Sequence, residues 1–460
     1  MLGLFGTLNL AARSLQTQMT GVEVAGHNIA NINTPGYSRQ RVNIQTAGTV
    51  DSAAGPQGTG AQVVQIQQIV SGLLDSQIQT QASTSGYWTA QQTGLQGAQN
   101  GLNETLDSTG STGLSAQLDS LFNAFQDVAT SNTSATQTQL IGKAQEVAKT
   151  FNQINSQLGE LHTSLNDSLT NDVASANTFL TDIARLNAQI SRAEASGGNA
   201  NDLRDERTQD LQNLSQLVKV TTSTGNNGAV NVTLGGQSLV ADGQVADSLA
   251  TYDAGGGQML VKMATGGAPL TLTGGSMQGT IDARDGELAT TQTHLNALAA
   301  NLITAVNTVH NAGYTATGGT GTSFFTGTNA GTITVNQTLA DDPSRLQVSA
   351  SATAGGDNQV ALQLAQLATV AQAGLNNQTF TASYAATVAS LGGALQTANT
   401  QVSNQAAVSN MLTTQRGSVS GVNVDEEMTS LISFQQAYSA SASLVKTIDA
   451  MLSATIAMKS

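Results

Sequence analysis

Four histidines, His27, His162, His294 and His310, are the residues of this chain best suited to hold a metal or move a proton. No two stand at His-x-x-x-His or His-Glu-x-x-His spacing, which would set both rings on one helix face. Each therefore reads as a surface or core histidine. Two acidic clusters, Asp341-Asp342 and Asp425-Glu426-Glu427, have the charge for calcium or acid–base work. The first runs into Pro343 and reads as a turn. The second directly precedes a helical pattern, where carboxylates favour the positive end of the helix dipole. Gly21-x4-Gly26-His27-Asn28 echoes a phosphate loop but lacks the Lys and the Ser/Thr, and it lies inside a helical pattern. No Gly-x-Ser-x-Gly elbow occurs. Absence of cysteine excludes disulfides, thiol catalysis and zinc thiolate sites. No catalytic residue, cofactor or metal is expected, and the chain reads as a structural protein.

The elements that carry these residues are more informative. From Leu4 to Ile29 apolar residues recur at heptad spacing: Leu4, Leu8, Ala11, Leu15, Val22, Ala25 and Ile29. Leu431, Phe434, Tyr438, Val445, Ile448 and Leu452 repeat the pattern at the other end. Alternating steps of three and four place each set on one helix face, a seam that needs a partner. The expected pairing residues are Leu8, Leu15, Val22, Ile29, Phe434, Tyr438, Val445, Ile448 and Leu452. Gln18 and Ser441 sit at core phases; either they fix register, as single polar core residues can, or they face solvent at a loose seam. Ala437, Leu444, Met451 and Met458 form a second stripe beside the first. It reads as a seam for a further partner helix, the alternative being one broad stripe buried within a single bundle.

Composition supports a building block. The 460 residues suffice for several domains, and 39% are hydrophobic. Only 10% are charged, against roughly 25% in ordinary soluble proteins. Net charge is −14, which argues against nucleic acid. Residues 1–31 are neutral and residues 428–460 carry +1, which leaves −15 for the interior. Nearly neutral ends pack against copies of themselves at little cost, while an acidic exterior resists random association. The first residues lack a basic stretch, a continuous apolar run and a cleavage site, and no run of about 18 apolar residues spans a membrane. Export through a route without a cleavable signal is the expectation.

Along the chain, Pro35 stops the first helix and Pro35-Gly36 suits a type II turn. Tyr37 to Gln45 reads as extended, residues 46–60 as a loop, and Ala61–Val70 as a strand. Leu73 to Leu217 reads as helical. Leu140, Ala144, Val147, Phe151, Ile154, Leu158, Leu161 and Leu165 predict a helix of about 50 residues, roughly 75 Å, with a phase slip after Leu165. Gly197-Gly198-Asn199 ends it, and Asn201-Asp202 is expected to cap the next helix. Residues 218–275 alternate as strands, including Val230–Leu234, Met259–Lys262 and Leu270–Leu272, and read as an inserted antiparallel β domain. Helix returns over Ile281–Val309. Residues 313–358 are rich in Gly and Thr with a strand at Ile333–Val335. From Val360 the pattern is helical to the end, interrupted near Gly374–Gln378 and Gly417–Val424. The fold class is mainly α with inserted β. Residues 1–60 with 420–460 form a terminal coiled-coil assembly domain. Residues 61–217 with 281–312 and 359–419 form a helical rod. Residues 218–280 and 313–358 are insertions.

Ala25-Gly26-His27-Asn28-Ile29-Ala30-Asn31-Ile32-Asn33-Thr34-Pro35-Gly36-Tyr37 resembles the signature shared by axial proteins of the bacterial flagellum. Gly36-Tyr37-Ser38-Arg39-Gln40 is similar to the hook-associated protein 1 family, where hook and rod proteins continue with Gly-Phe-Lys. Ser420–Met428 with Phe434-Gln435-Gln436-Ala437-Tyr438 is similar to the family's other end. Asp202–Arg207, Val306–Gly313 and Gly356-Asp357-Asn358 also resemble family positions. The resemblance implies a structural subunit at the hook–filament junction, extracellular and exported through the flagellar type III pathway. It implies self-assembly through the termini, with Asn31, Thr34, Pro35, Gly36 and Tyr37 part of that interface. Implied partners are copies of itself, hook protein, hook-associated protein 3, and an export chaperone on the C-terminal helix. Other readings are a different axial subunit of hook or filament type, or an adhesin carried on the appendage. Asn103-Glu104-Thr105 and Asn132-Thr133-Ser134 match a glycosylation acceptor, with no role expected in such an appendage.

An isolated helix of about 25 residues is marginal in water. Gly21 and Gly26 each cost the first helix roughly 1 kcal/mol relative to Ala. The ends are therefore expected to order when they pair, and both glycines to admit a close neighbour. Asp202-Leu203-Arg204-Asp205-Glu206-Arg207 is expected to form a solvated ion-pair face, with Arg204 or Arg207 bridging to a neighbouring helix.

Overall fold

In the computed structural model of the chain the described residues are 3–52, 55–102, 104, 113–267, 269–353 and 357–458. Asn103, Thr105, Gly356 and Lys459, which bear on the sequence reading, lie outside them.

The chain begins with helix α1 (Leu4–Ala30). Tyr37 N donates to Thr34 O at 3.2 Å and Gly36 has φ 81°, which makes Pro35-Gly36 the centre of the expected turn. Strand β1 (Gln40–Thr46) then pairs antiparallel with β4 (Ala61–Gln68). The segment between them is more than a loop: it carries a second hairpin, β2 (Thr49–Ser52) with β3 (Gly55–Gly58). Helices α2 (Gly72–Leu102), α3 (Leu114–Thr130), α4 (Ser134–Ala195) and α5 (Asn201–Leu217) follow.

Helix α4 runs 62 residues, about 93 Å at ~1.5 Å per residue, and is longer than its leucine pattern suggests. The phase slip after Leu165 does not break it. Instead it marks where α4 passes from one hydrophobic core to another. Leu140, Ala144, Val147, Phe151, Ile154, Leu158 and Leu165 belong to a core shared with α3 and the later helices. Leu169, Val173, Ala176, Leu180 and Ile183 belong to a second core.

That second core is closed by the inserted strands. β5 (Thr221–Thr224), β6 (Val230–Leu234), β7 (Gln237–Ala241) and β8 (Gln244–Val245) form one antiparallel sheet, and β9 (Leu249–Asp253) pairs with β10 (Met259–Met263). Gly235 and Gly236, both with positive φ, make the two-residue turn between β6 and β7. Leu270–Leu272 forms no strand; Leu270 N makes a bond to Val261 O and the chain then leaves the sheet. The insertion is fastened to α4 by asparagines rather than by apolar contact alone. Asn177 exchanges two hydrogen bonds with the backbone of Leu249, and Asn187 does the same with Val230.

Helix α6 (Gly275–Asp282), a π-helical turn (Ala283–Leu288) and α7 (Ala289–Asn311) continue as one helical path. Residues 313–358 hold the short pair β11 (Phe325–Thr326) and β12 (Thr334–Val335) and helix α8 (Gln337–Asp341). Asp341 ends α8 rather than lying in a turn, and Asp342 caps the short turn at Pro343–Arg345. Phe324, Phe325, Ile333, Leu346 and Val348 of this segment are buried in the first core beside α3, α4 and α7.

His310 of α7 is part of the reason they stay there. It is fully buried; its Nδ1 donates to Thr322 O at 2.9 Å and its Nε2 accepts from Gln347 N at 3.1 Å. This geometry requires the neutral ring, and burial pushes its pKa down to about 4. The stabilisation is therefore fully present above the unfolded-state value of about 6.5 and lost as pH falls toward 4. Denaturant midpoints are expected to show a loss on the order of 2–3 kcal/mol between pH 7 and 4.5 that His310→Asn lacks. Equal pH slopes in both proteins would refute it.

Helices α9 (Gln359–Gln366), α10 (Phe380–Ser420) and α11 (Val424–Ala457) complete the chain. α10 runs back along α2, through Gly417, and the break is confined to residues 421–423. α11 returns antiparallel along α1, which brings the two ends of the sequence together. The fold is mainly helical with paired terminal helices and small antiparallel sheets inserted.

Candidate functional site

The paired ends meet through one regular set of contacts. Ser14 Oγ lies 2.9 Å from Ser441 Oγ, Gly21 faces the ring of Phe434, and Asn28 Nδ2 donates to Glu427 Oε2 at 2.9 Å. Each pair is seven residues from the next on both helices, running in opposite directions. This is a heptad seam, but its α1 face is small and polar. A Cβ placed on Gly21 would lie 2.6 Å from the Phe434 ring, so only glycine admits the phenylalanine there. Gly26, by contrast, has nothing of this chain within 4 Å of where a Cβ would stand.

The expected apolar set lies one residue to the side. Leu8, Leu15, Val22 and Ile29 are half-buried beside the seam. On α11, Phe434, Val445 and Leu452 are half-buried, Ile448 is buried, and Tyr438 is 42% exposed. The second stripe stays largely open, with Leu444 39%, Met451 53% and Met458 83% exposed. Gln18 is half-buried. Ser441 meets Ser14, a contact that suits the register role weighed for it.

Past Asn28 the seam runs into a polar joint built on the turn. Asn28 is fully buried and uses both ends of its amide. Nδ2 donates to Gln40 O at 2.8 Å as well as to Glu427; Oδ1 accepts from Gln40 N at 2.9 Å and from Tyr37 OH at 2.8 Å. His27 Nδ1 lies 3.0 Å from the Tyr37 hydroxyl, which donates to Asn28 and so accepts from the imidazole. The turn at Pro35-Gly36 is what swings Tyr37 back over helix α1. Burial, then the charges of Asp202, Asp205 and Glu427, push the Tyr37 hydroxyl pKa upward, so it remains a donor. Asn31, Thr34, Pro35 and Gly36 shape this turn and are not buried. Asn31 Nδ2 donates to His27 O and Asn31 Oδ1 accepts from Thr34 Oγ1, which ties the helix end to the turn.

Ser38, Arg39 and Gln40 then reach three different elements. Ser38 N and Oγ both donate to Asp205, at 2.8 and 2.7 Å. Arg39 forms ion pairs with Glu426 at 2.6 Å and Glu427 at 2.7 Å, and its N–H donates to Ser420 O. Gln40 Nε2 donates to Asp202, and Gln68 Nε2 reaches both Asp205 and Asn201 O. Arg416 of α10 reaches Gly36 O and Asp75. The turn segment is thereby bolted to α5, α10 and α11 at once.

Three sequence expectations are revised here. Asp425-Glu426-Glu427 does begin α11, but Asn423 caps it and Glu427 is only 3% exposed. Its role is to pair with Arg39 and Asn28, not only to balance a dipole. Asp202–Arg207 is a solvated face only at Asp202 and Glu206, while Arg204 and Arg207 bridge to α4 as expected. Asp205 and Arg207 are buried; Arg207 donates to Asn187 Oδ1 and Gly228 O, and Arg204 clasps Glu194 at 2.7 and 2.8 Å. Asn201 makes no cap: it is the first residue of α5, Ala200 holds the cap position, and the Asn201 amide nitrogen donates to Gln40 Oε1 and Ile66 O. Burial pushes the Asp205 carboxyl pKa upward against the bonds from Ser38 and Gln68. Charge alternation at helical spacing could not reveal the partners of Asp205, which lie more than 130 residues away in sequence.

Among the described residues no cluster of three or more His, Asp or Glu could hold a metal, and no helix is long and apolar enough to cross a membrane. Asn307, within the Val306–Gly313 motif, accepts from Phe324 N and Phe325 N and so anchors residues 313–358. Asp357 takes the Ala350 N–H in the same segment.

Comparison with known proteins agrees with this architecture. Residues 99–325 match the flagellar hook-associated protein FlgK helical domain, residues 8–37 the flagella basal body rod protein, and residues 418–458 the flagellar basal body rod FlgEFG protein C-terminal model. Flagellar hook-associated protein 1 of Bacillus subtilis is 30% identical over 504 residues, covering 99% of this chain and 98% of that protein. The Escherichia coli protein of the same name is 25% identical over 545 residues, covering 98% and 99%. The solved structure of the flagellar hook junction protein FlgK from Burkholderia pseudomallei has the same fold, with a TM-score of 0.66 at 16% identity, covering 75% of this chain and 100% of that one. The chain belongs to the flagellar hook-associated protein 1 family: it is a structural subunit of the bacterial flagellum at the hook–filament junction, extracellular and not an enzyme.

Proposed function

We propose that copies of this chain join one another through the outer faces of α1 and α11, forming a closed or helical layer between hook protein on one side and hook-associated protein 3 on the other. The observation that carries the reading is the character of α11. After its acidic first turn only Lys446 and Asp449 are charged over the rest of the helix. Apolar residues face outward on every side: Met428, Ile432, Tyr438, Leu444, Met451, Ile456 and Met458. Apolar residues exposed this far round a helix mark an interaction surface, and α1 covers only one side of it. Leu8, Leu15, Val22 and Ile29, with Val445 and Leu452, border the covered side and extend the contact to neighbouring copies. Phe434, Ile448 and the turn from Asn31 to Tyr37 hold the terminal unit in the shape those neighbours meet. An apolar helix of this kind also needs cover before assembly, which fits an export chaperone bound to α11.

In this reading residues 1–60 with 420–460 are the assembly domain and residues 61–217 with 281–312 and 359–419 the rod. Residues 218–280 are an outward insertion, and 313–358 belong with the rod whose core they share. The test is deletion of residues 1–40 or 425–460 in a motile bacterium that carries this chain. Hooks should still form while filaments are shed into the medium. Normal motility with either deletion would rule the reading out.

A further inference from the structure

We propose that the rod and its 218–280 insertion form two cooperative units meeting at a polar layer, and that Arg284 is the bolt that couples them. The two hydrophobic cores do not merge. On α4 they are separated between Leu165, in the first, and Leu169, in the second, one helical turn apart. On the facing helical path they are separated between Met277, in the second, and Leu288, in the first. At that level lie Asn166, His162, Arg284 and Asp285, beside the small buried Ala283.

Arg284 is fully buried within the π-helical turn. Its Nε and Nη2 donate to Asp285 at 2.7 Å each, its Nη1 to Asn166 Oδ1 of α4 and to Met259 O of β10, the latter at 2.7 Å. Asn166 Nδ2 in turn donates to Gly257 O, in the β9–β10 turn, at 2.8 Å. One guanidinium therefore links the helical path, the spine helix and the inserted hairpin. Burial, with the Arg284 charge beside it, holds the His162 pKa below its ordinary value, so that ring adds little positive charge to the layer. A π turn adds a residue to the helical ladder and is a recurrent site of local adjustment. Together these features make a joint: each core is cohesive within itself, and polar bonds fix the angle between them.

The test compares Arg284→Met with the parent chain by calorimetry and amide exchange. Methionine fills apolar space and leaves Asp285, whose side chain is 28% exposed, able to meet water. The expected result is two resolved melting transitions, with exchange about tenfold faster over residues 249–277 and unchanged over residues 114–158. A single transition with exchange accelerated equally on both sides, or exchange unchanged on both, overturns the proposal. Should Arg284→Met not fold, Asn166→Ala carries the same comparison, since it removes the α4 link and leaves the arginine its carboxylate. The same asymmetry is expected, and its absence there also overturns the proposal.

Discussion

A chain carrying Gly21→Leu is expected to keep its rod and lose its terminal pair. The Phe434 ring fills the space a side chain at position 21 would need, with 2.6 Å to the ideal Cβ alone. Overpacking of this kind costs about 1–3 kcal/mol, and more where the backbone must separate. Here the backbone in question is a helix held at two other heptad positions, Ser14–Ser441 and Asn28–Glu427, so the strain spreads along the whole seam. Gly21→Ala should be milder, because alanine regains roughly 1 kcal/mol of helix propensity against the smaller clash. Protease resistance of residues 4–30 and 424–457 reports the pairing directly, and filament retention in cells reports its consequence. Adding Phe434→Ala to Gly21→Leu should restore part of both. Full filament retention by Gly21→Leu alone would show that the pair does not need this contact.

Asn28→Ala is expected to have an effect as large, through polarity rather than volume. The amide satisfies the N–H and the carbonyl of Gln40, the hydroxyl of Tyr37 and one oxygen of Glu427. Alanine leaves those buried groups without it, and each unsatisfied group costs about 1–3 kcal/mol. A total on the order of 3–5 kcal/mol is the range for breaking a buried polar network. The loss should localise to the terminal unit and α5. Faster amide exchange in residues 37–46 and 424–430, with the core around Phe151 unaffected, is the expected signature. Asn28→Asp is isosteric but sets a second carboxylate against the buried Glu427, and its defect should shrink at acid pH as the charge is neutralised. A wild-type exchange pattern in Asn28→Ala would remove the joint from the account.

Much of this site is written in the sequence, but not its geometry. The heptad period of both ends marks them as paired helices, and Pro35-Gly36 marks the turn. Large apolar residues dominate any periodicity reading, and they point to Leu8, Leu15, Val22 and Ile29. Ser14, Gly21 and Asn28, which meet Ser441, Phe434 and Glu427 of α11, stand one position earlier. A small residue makes a close contact by leaving room, so it gives no hydrophobic signal. Its regular seven-residue spacing was the available clue. Asp205 and Glu427 read as ordinary surface carboxylates, because burial depends on partners far away along the chain.

The sequence by itself determined the helical class, the inserted strands, the absence of catalytic motifs and the neutral ends of an acidic chain. These follow from composition and local spacing, which act over one or two turns of backbone. Only the tertiary structure decided which face of α1 meets α11, that Asp202 and Asp205 receive the turn, and that α4 spans two cores divided at Arg284. Those outcomes depend on which distant residues arrive together, and on whether the arriving group leaves room, carries charge or supplies a hydrogen bond.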